Sequence, residues 1–176
     1  MALLEPEELA AFAGVESAHP RLQPAVAAAE ALVAAWIGCE TLGRRSLSCS
    51  LTPPRFRRTL ELPQGPLSDL LAVSEAGAAL DPADFVRRPW SLARPGGFAA
   101  GRRLEVVGTL GWSRDEGPPP PESLRQALLL TAAEQLERTA SWVVSERLGD
   151  HAVTYAEATG VVPATAGSLL RAWRRP

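Results

Sequence analysis

Between Pro118 and Gly149 the apolar positions recur every three or four residues. Leu124, Leu128, Thr131, Ala132, Gln135, Leu136, Thr139 and Val143 lie on one stripe, which is the period of a helix. Pro118 to Pro121 lead into it. Proline is tolerated in a first helical turn, where its missing N–H has no partner anyway. Glu122 falls in that turn and favours the positive end of the helix dipole. From Ala127 to Ala133 the sequence is apolar nearly all round, the mark of a helix buried on most sides. Past Ala133 a polar face returns with Glu134, Glu137, Arg138, Glu146 and Arg147, and Gly149 fits a helix C′ position. The pattern predicts one long core helix ending at Leu148-Gly149. A second helical stretch, 22–42, places Ala25, Ala29, Leu32, Val33, Trp36 and Ile37 at helical spacings. Its alanines permit close approach, so it is the natural partner of the long helix. Leu128, Leu136, Trp36 and Val33 should then be buried together. Shorter helices are predicted over 5–13 and from Pro163 through Trp173.

The middle of the chain has a different period. In 55–62, Phe56, Leu60 and Leu62 face one way and Arg55, Arg57, Thr59 and Glu61 the other, as in a half-buried strand closed by Pro63. Strands are also predicted over 67–73, 84–88, 91–94 and 103–108. Glu75-Ala-Gly77, Asp81-Pro, Arg88-Pro and Arg94-Pro-Gly-Gly97 separate them. The expectation is an antiparallel β-region of four to six strands carrying Trp90, Phe98 and Trp112.

Together these elements predict an α+β fold. It is a helical bundle of about four helices (5–42 and 122–173) with an inserted antiparallel β-region (46–112), in one domain spanning 1–176. A length of 176 residues and an apolar fraction of 46% suit one domain with a real core. A net charge of −2 argues against a general nucleic-acid coat. All 18 basic residues are arginine, lysine and asparagine are absent, and Ile37 is the only isoleucine. Those residues have AT-rich codons, so the arginine excess reflects a GC-rich gene more than phosphate binding. The first residues have no basic n-region, and no apolar run is long enough to span a membrane, so the reading is a soluble protein made in the cytoplasm.

Little in the chain suggests chemistry. Cys39 and Cys49 have no histidines beside them to complete a zinc site. A disulfide between them is open, but nothing else points to secretion. His19 and His151 stand alone, and Gly108-Thr-Leu-Gly111 is not a phosphate loop. Asp81, Asp84 and Asp115 read as turn formers. The expectation is no enzyme, metal or cofactor. Residues 156–173 have helix-turn-helix-like spacing with Gly160 at the turn. The would-be recognition helix, Ala164 to Ser168, lacks arginine or glutamine to read bases. A DNA-binding regulator is thus the rival reading.

The order of elements resembles the head–tail connector (adaptor) proteins of tailed phages and of phage-derived gene transfer agents. The likeness rests on Leu62-Pro63, Gly77, Asp84-Phe85, Val106 to Trp112, Pro119 to Leu130, Ser145 to Gly149, Tyr155 and Leu169 to Arg175. Where such proteins carry Gly-Tyr before the prolines, this chain has Gly111-Trp112, and its β-region is longer than in compact members.

The resemblance implies a structural virion protein at the head–tail interface. It would self-associate as a ring, twelve-fold in the virion, between the portal protein and a stopper or tail protein. DNA would pass through the lumen with only non-specific contact, and no membrane would be involved. It also implies that the terminal segment docks on the portal. Leu169 and Leu170 would start the docking helix, Trp173 would fill a pocket, and Arg171, Arg174 and Arg175 would meet carboxylates at its rim. The competing reading is that Leu169, Leu170 and Trp173 fold back on the protein's own bundle.

Overall fold

Ser46-Leu47-Ser48-Cys49-Ser50-Leu51 alternates strictly between polar and apolar residues, the pattern of a strand with one buried face. In the computed structural model it is β1 (Arg45–Leu51), paired along its whole length with β7 (Leu104–Leu110). The structure describes residues 2–140, 145–148, 151–154 and 162–175, with side chains over 2–137 and 162–175. By its contacts the chain divides into two units. One comprises Ile37–Pro120 and Arg171–Pro176, and the other Ala2–Trp36 and Pro121–Leu170.

The first unit is built from two antiparallel sheets. The four-stranded sheet has the order β1-β7-β3-β4, with β3 at Leu67–Glu75 and β4 at Ala78–Leu80. The three-stranded sheet has the order β2-β6-β5, with β2 at Arg57–Glu61, β5 at Val86–Arg88 and β6 at Ser91–Phe98. Leu47, Leu70, Val73, Val106 and Leu110 from one sheet share a single apolar core with Leu60, Leu92 and Phe98 from the other. Phe85 stacks on Phe98 at 6.1 Å within it. Ala76 and Gly77 join β3 to β4 with φ of +50° and +85°. Positive φ at both central positions is what a tight two-residue hairpin needs.

The second unit holds α1 (Pro6–Ala13), α2 (Leu22–Ile37, whose last residue belongs to the first unit), α3 (Glu122–Ala140) and α4 (Ala164–Leu170). It also holds a two-stranded hairpin, β8 (Ser145–Leu148) and β9 (His151–Thr154). Pro6 sits in the first turn of α1 beneath a reciprocal capping box between Glu5 and Glu8, and Gly14 ends the helix in the left-handed region. Leu9, Val26, Val33, Leu124, Leu128, Ala132 and Leu136 are buried. The buried Thr131 hydroxyl donates to the Ala127 carbonyl at 2.7 Å, so its burial leaves no orphaned group.

These findings correct the expectation of a helical bundle with an inserted β-region. Among the described residues there are four helices, two antiparallel sheets of seven strands in all and a separate two-stranded hairpin, a mixed α+β fold in which the β-region has its own core. Gly77, Pro82 and Pro89 do lie between strands, but Arg94-Pro-Gly-Gly97, expected to break a strand, lies inside β6. The long helix is also shorter than predicted. It ends at Ala140, and Ser145–Leu148 is a strand. Helical spacing at Glu146 and Arg147 competed there with a two-residue Gly149-Asp150 signal between runs that pair Leu148 with His151. The third correction concerns partners. α3 runs closest along α4 and α1 rather than α2. Val33, Leu128 and Leu136 are buried as expected, but Trp36 is only half-buried, with its indole beside Gly167 of α4. Val143, Gly149, Tyr155 and Gly160 lie outside the described residues.

Candidate functional site

After α4 the chain makes a short 3-10 turn, Arg171–Trp173, and its last residues lie on the β unit. Trp173 is half-buried and meets the buried Trp112 edge-to-face, with ring centroids 5.3 Å apart and planes at 82°. This is a favoured aromatic geometry. The buried Trp90 donates its indole N–H to the Trp173 carbonyl at 2.7 Å. The Arg175 backbone N–H donates to the Ile37 carbonyl at 2.9 Å, and its guanidinium lies over the Trp90 ring at 5.4 Å. Trp90 and Trp112 therefore both meet the terminal segment, which contributes Trp173.

Local backbone makes room for this cluster. Gly38 follows α2 at φ +90°, and a Cβ there would come within 3.2 Å of the Arg175 Cβ. Gly65 lies so close to Trp90 that a Cβ would be 2.7 Å from its ring. Trp112 is held by its backbone N–H, which donates to the Leu42 carbonyl at 2.9 Å.

The residues predicted to dock on a partner are thus split by their surroundings. Leu170 is fully buried in the helical unit, and Leu169 is half-buried. Trp173 is engaged with the chain's own tryptophans, while Arg171, Arg174 and Arg175 are exposed. Sequence reasoning missed the receiving residues, Trp90, Trp112, Ile37 and Gly38. Trp90 directly follows the Arg88-Pro break, which is the one signal that could have pointed to it.

A second feature is an arginine-rich end of the β unit. The loop Pro53-Pro54-Arg55-Phe56 leads into Arg57-Arg58 at the start of β2. It is tied to the turn before β7 by a hydrogen bond from the Gly101 N–H to the Pro53 carbonyl at 2.9 Å. That turn brings Arg102 and Arg103. Arg103 bonds the Ser50 hydroxyl at 2.9 Å and pairs with Glu105 at 3.2 Å. Arg55, Arg57, Arg58 and Arg102 are exposed, and among the described residues no carboxylate pairs with them. Phe56 sits amid these arginines at 61% exposure, its ring laid over Gly97. A Cβ on Gly97 would fall 2.3 Å from that ring, so this seat requires glycine.

On the outer side of the four-stranded sheet, Leu71 and Val107 are exposed beside Arg44, Arg45 and Arg114 in an open groove of about 550 Å³. Arg44 pairs there with Glu116 at 3.4 Å.

The remaining candidates have local roles. His19 Nδ1 accepts the Arg21 N–H at 3.3 Å. Asp81 caps the 3-10 turn 82–84 by accepting the Ala83 N–H at 2.9 Å. Cys39 and Cys49 are free thiols. Burial pushes the pKa of both up, with nearby Arg45 partly opposing this for Cys39. The side chain of His151 lies outside those described. Among the described residues no helix is long and apolar enough to cross a membrane, and no three His, Cys, Asp or Glu side chains are placed to hold a metal ion.

No protein-family model and no curated protein matches the chain. Its fold is similar to a chain in the neck of an empty GTA (gene transfer agent) particle, computed with C6 symmetry. The TM-score is 0.50 at 20% identity, covering 99% of this chain and 90% of that one. A chain from the neck of a native GTA particle, computed with C12 symmetry, aligns at a TM-score of 0.40 and 21% identity over 96% of this chain and 82% of that one.

Proposed function

We propose that the chain is a structural subunit of a particle neck, an adaptor that assembles as a ring between portal and tail, with DNA passing through the lumen. The observation that carries this is the likeness over 99% of the chain to a neck chain in a six-fold symmetric assembly. Both units take part in that likeness, so it is not a shared sandwich alone. A ring requires two different faces on each subunit, one meeting the other around the axis. A chain divided into a β unit and a helical unit supplies two chemically distinct faces. The copy number is a multiple of six on this reading.

The terminal segment is the portal-facing element of this proposal. Leu170 and Trp173 hold Leu169 to Arg175 in a defined place, and Arg171 and Arg174 are presented outward. Arginine suits carboxylate-lined rims because its fork pairs bidentately. The role is non-enzymatic and virion-associated.

The test is the mass of the purified full chain across a concentration series, read by native mass spectrometry and by images of the particles. Closed rings of six or twelve copies support the proposal. A monomer or dimer at all concentrations that shifts duplex DNA in a sequence-specific way would replace it with the regulator reading.

A further inference from the structure

The net charge of −2 hides a division. The unit formed by Ile37–Pro120 and Arg171–Pro176 has fourteen arginines and nine carboxylates, so it is positive by five. The unit formed by Ala2–Trp36 and Pro121–Leu170 has four arginines and eleven carboxylates, so it is negative by seven. A GC-rich gene explains why the cations are arginine. It does not explain why they fall on one unit and the acids on the other.

We infer that the arginine-rich end of the β unit, centred on Phe56, docks against the acidic helical unit of a second copy of this chain. On the β side the surface consists of Arg55 and Phe56 in the loop before β2, Arg57 and Arg58 at the start of that strand, and Arg102 in the turn hydrogen-bonded to the loop, with the exposed aromatic at the centre. On the helical side, α1 carries exposed Glu7 and Phe12, and Glu16 follows just after the helix. Phe12 is 50% exposed, one of two exposed phenylalanines among the described residues, with exposed Glu7 and Glu16 within five positions of it in the chain, as Arg55, Arg57 and Arg58 flank Phe56. An aromatic anchor ringed by charges is the usual make-up of a protein contact. Duplex backbone binding has no use for a central phenylalanine, since phosphates are met by cations and N–H groups. The complementarity is between two different patches, so the contact is heterologous and repeats head to tail. The inference rests on the ring reading above and names the faces that close it.

The experiment uses the full chain and two variants that reverse charge at exposed sites. The first is Arg55→Glu with Arg58→Glu, and the second is Glu7→Arg with Glu16→Arg. Each is checked by thermal melting, and Phe56→Ala replaces the first, tested alone and not in the mixture, if the first melts early. Association is followed by light scattering at low and high salt. Wild type should associate more weakly as salt rises. Each variant alone should associate at least about tenfold more weakly than wild type. A one-to-one mixture should recover assembly, because each variant's altered face then meets an opposite charge on the other. Rings of wild type with rings of both variants at equal affinity would overturn this inference and leave the neck proposal standing. Wild type that forms no ring at all would overturn both. Variants that assemble normally but lose retardation of duplex DNA would reassign the arginine loops to nucleic acid.

Discussion

The indole N–H of Trp90 donates to the backbone carbonyl of Trp173 at 2.7 Å. The two residues are 83 positions apart, and the bond joins a loop of the β unit to the last turn of the chain. It needs the backbone path of the terminal segment and not the Trp173 side chain. The side chain contributes separately, through its edge-on contact with Trp112. Trp173→Ala should therefore destabilise by about 1–3 kcal/mol, less than a fully buried tryptophan would, because it is half-exposed. Removing Ala172 to Pro176 should cost more, since it also leaves the buried Trp90 N–H without its acceptor. Urea unfolding followed by tryptophan fluorescence distinguishes the two. Equal stability of the truncated and full chains would mean that the segment does not rest on Trp90 in solution.

Gly111 and Gly14 make a matched pair. Both have positive φ, +64° and +68°. A Cβ at Gly111 would meet the Leu42 and Gly43 carbonyl oxygens at 2.4 Å, whereas one at Gly14 meets nothing within 4 Å. Gly14→Ala should cost about 1–2 kcal/mol, the penalty of a left-handed conformation alone. Gly111→Ala should cost clearly more, because backbone has to shift as well. Similar midpoints in denaturant for the two variants would contradict the tight crossing of Gly111 past Leu42–Gly43.

Leu128 is buried at 1% exposure in the middle of α3. Leu128→Ala should cost about 2–5 kcal/mol by cavity formation. The measurement is again chemical unfolding, and a change below about 1 kcal/mol would contradict its burial.

Much of the helical unit could be read from apolar spacing, because α1, α2 and α3 are amphipathic or nearly all apolar and carry a proline in or just before the first turn. What the pattern could not show was where two signals compete. Glu146 and Arg147 fit the outer face of a helix and equally the exposed side of a strand. β1 was legible in the alternation of Ser46 to Leu51, yet it holds no β-branched or aromatic residue, so its local preference for a strand is weak. The packing of α3 on α4 and α1, in preference to α2, depends on connections that no local period encodes. The terminal site was half legible. Leu170, Trp173 and the arginines stand out by type, but Trp90 and Trp112 come to Trp173 only through the pairing of distant strands.

Both thiols have raised pKa values, chiefly from burial. A thiol whose folded pKa lies above its unfolded value stabilises the fold while it stays neutral. That contribution is present below the unfolded pKa of about 8.5 and is lost as pH rises through the folded value. Alkylation of Cys39 and Cys49 in the native protein should be slow at neutral pH and slower than in urea at every pH up to about 9. Rates matching the unfolded chain at neutral pH would show the thiols to be open to solvent.

The outward arginines of the terminal segment give the most direct test of portal docking. Arg171 and Arg174 are exposed, and Leu170, Trp173 and the backbone of Arg175 make contacts that hold the segment. Reversing both, Arg171→Glu with Arg174→Glu, should shift the melting temperature little, since exposed charges rarely contribute more than about 1 kcal/mol. Binding to portal-bearing heads should fall at least about tenfold, because cations facing carboxylates become like charges. Self-association should remain, as neither residue lies in the loops around Phe56 or on α1. Co-sedimentation of the variant with portal-bearing heads, beside wild type, measures this. Undiminished binding by a correctly folded variant would assign these arginines to solvent and place the portal contact elsewhere on the chain.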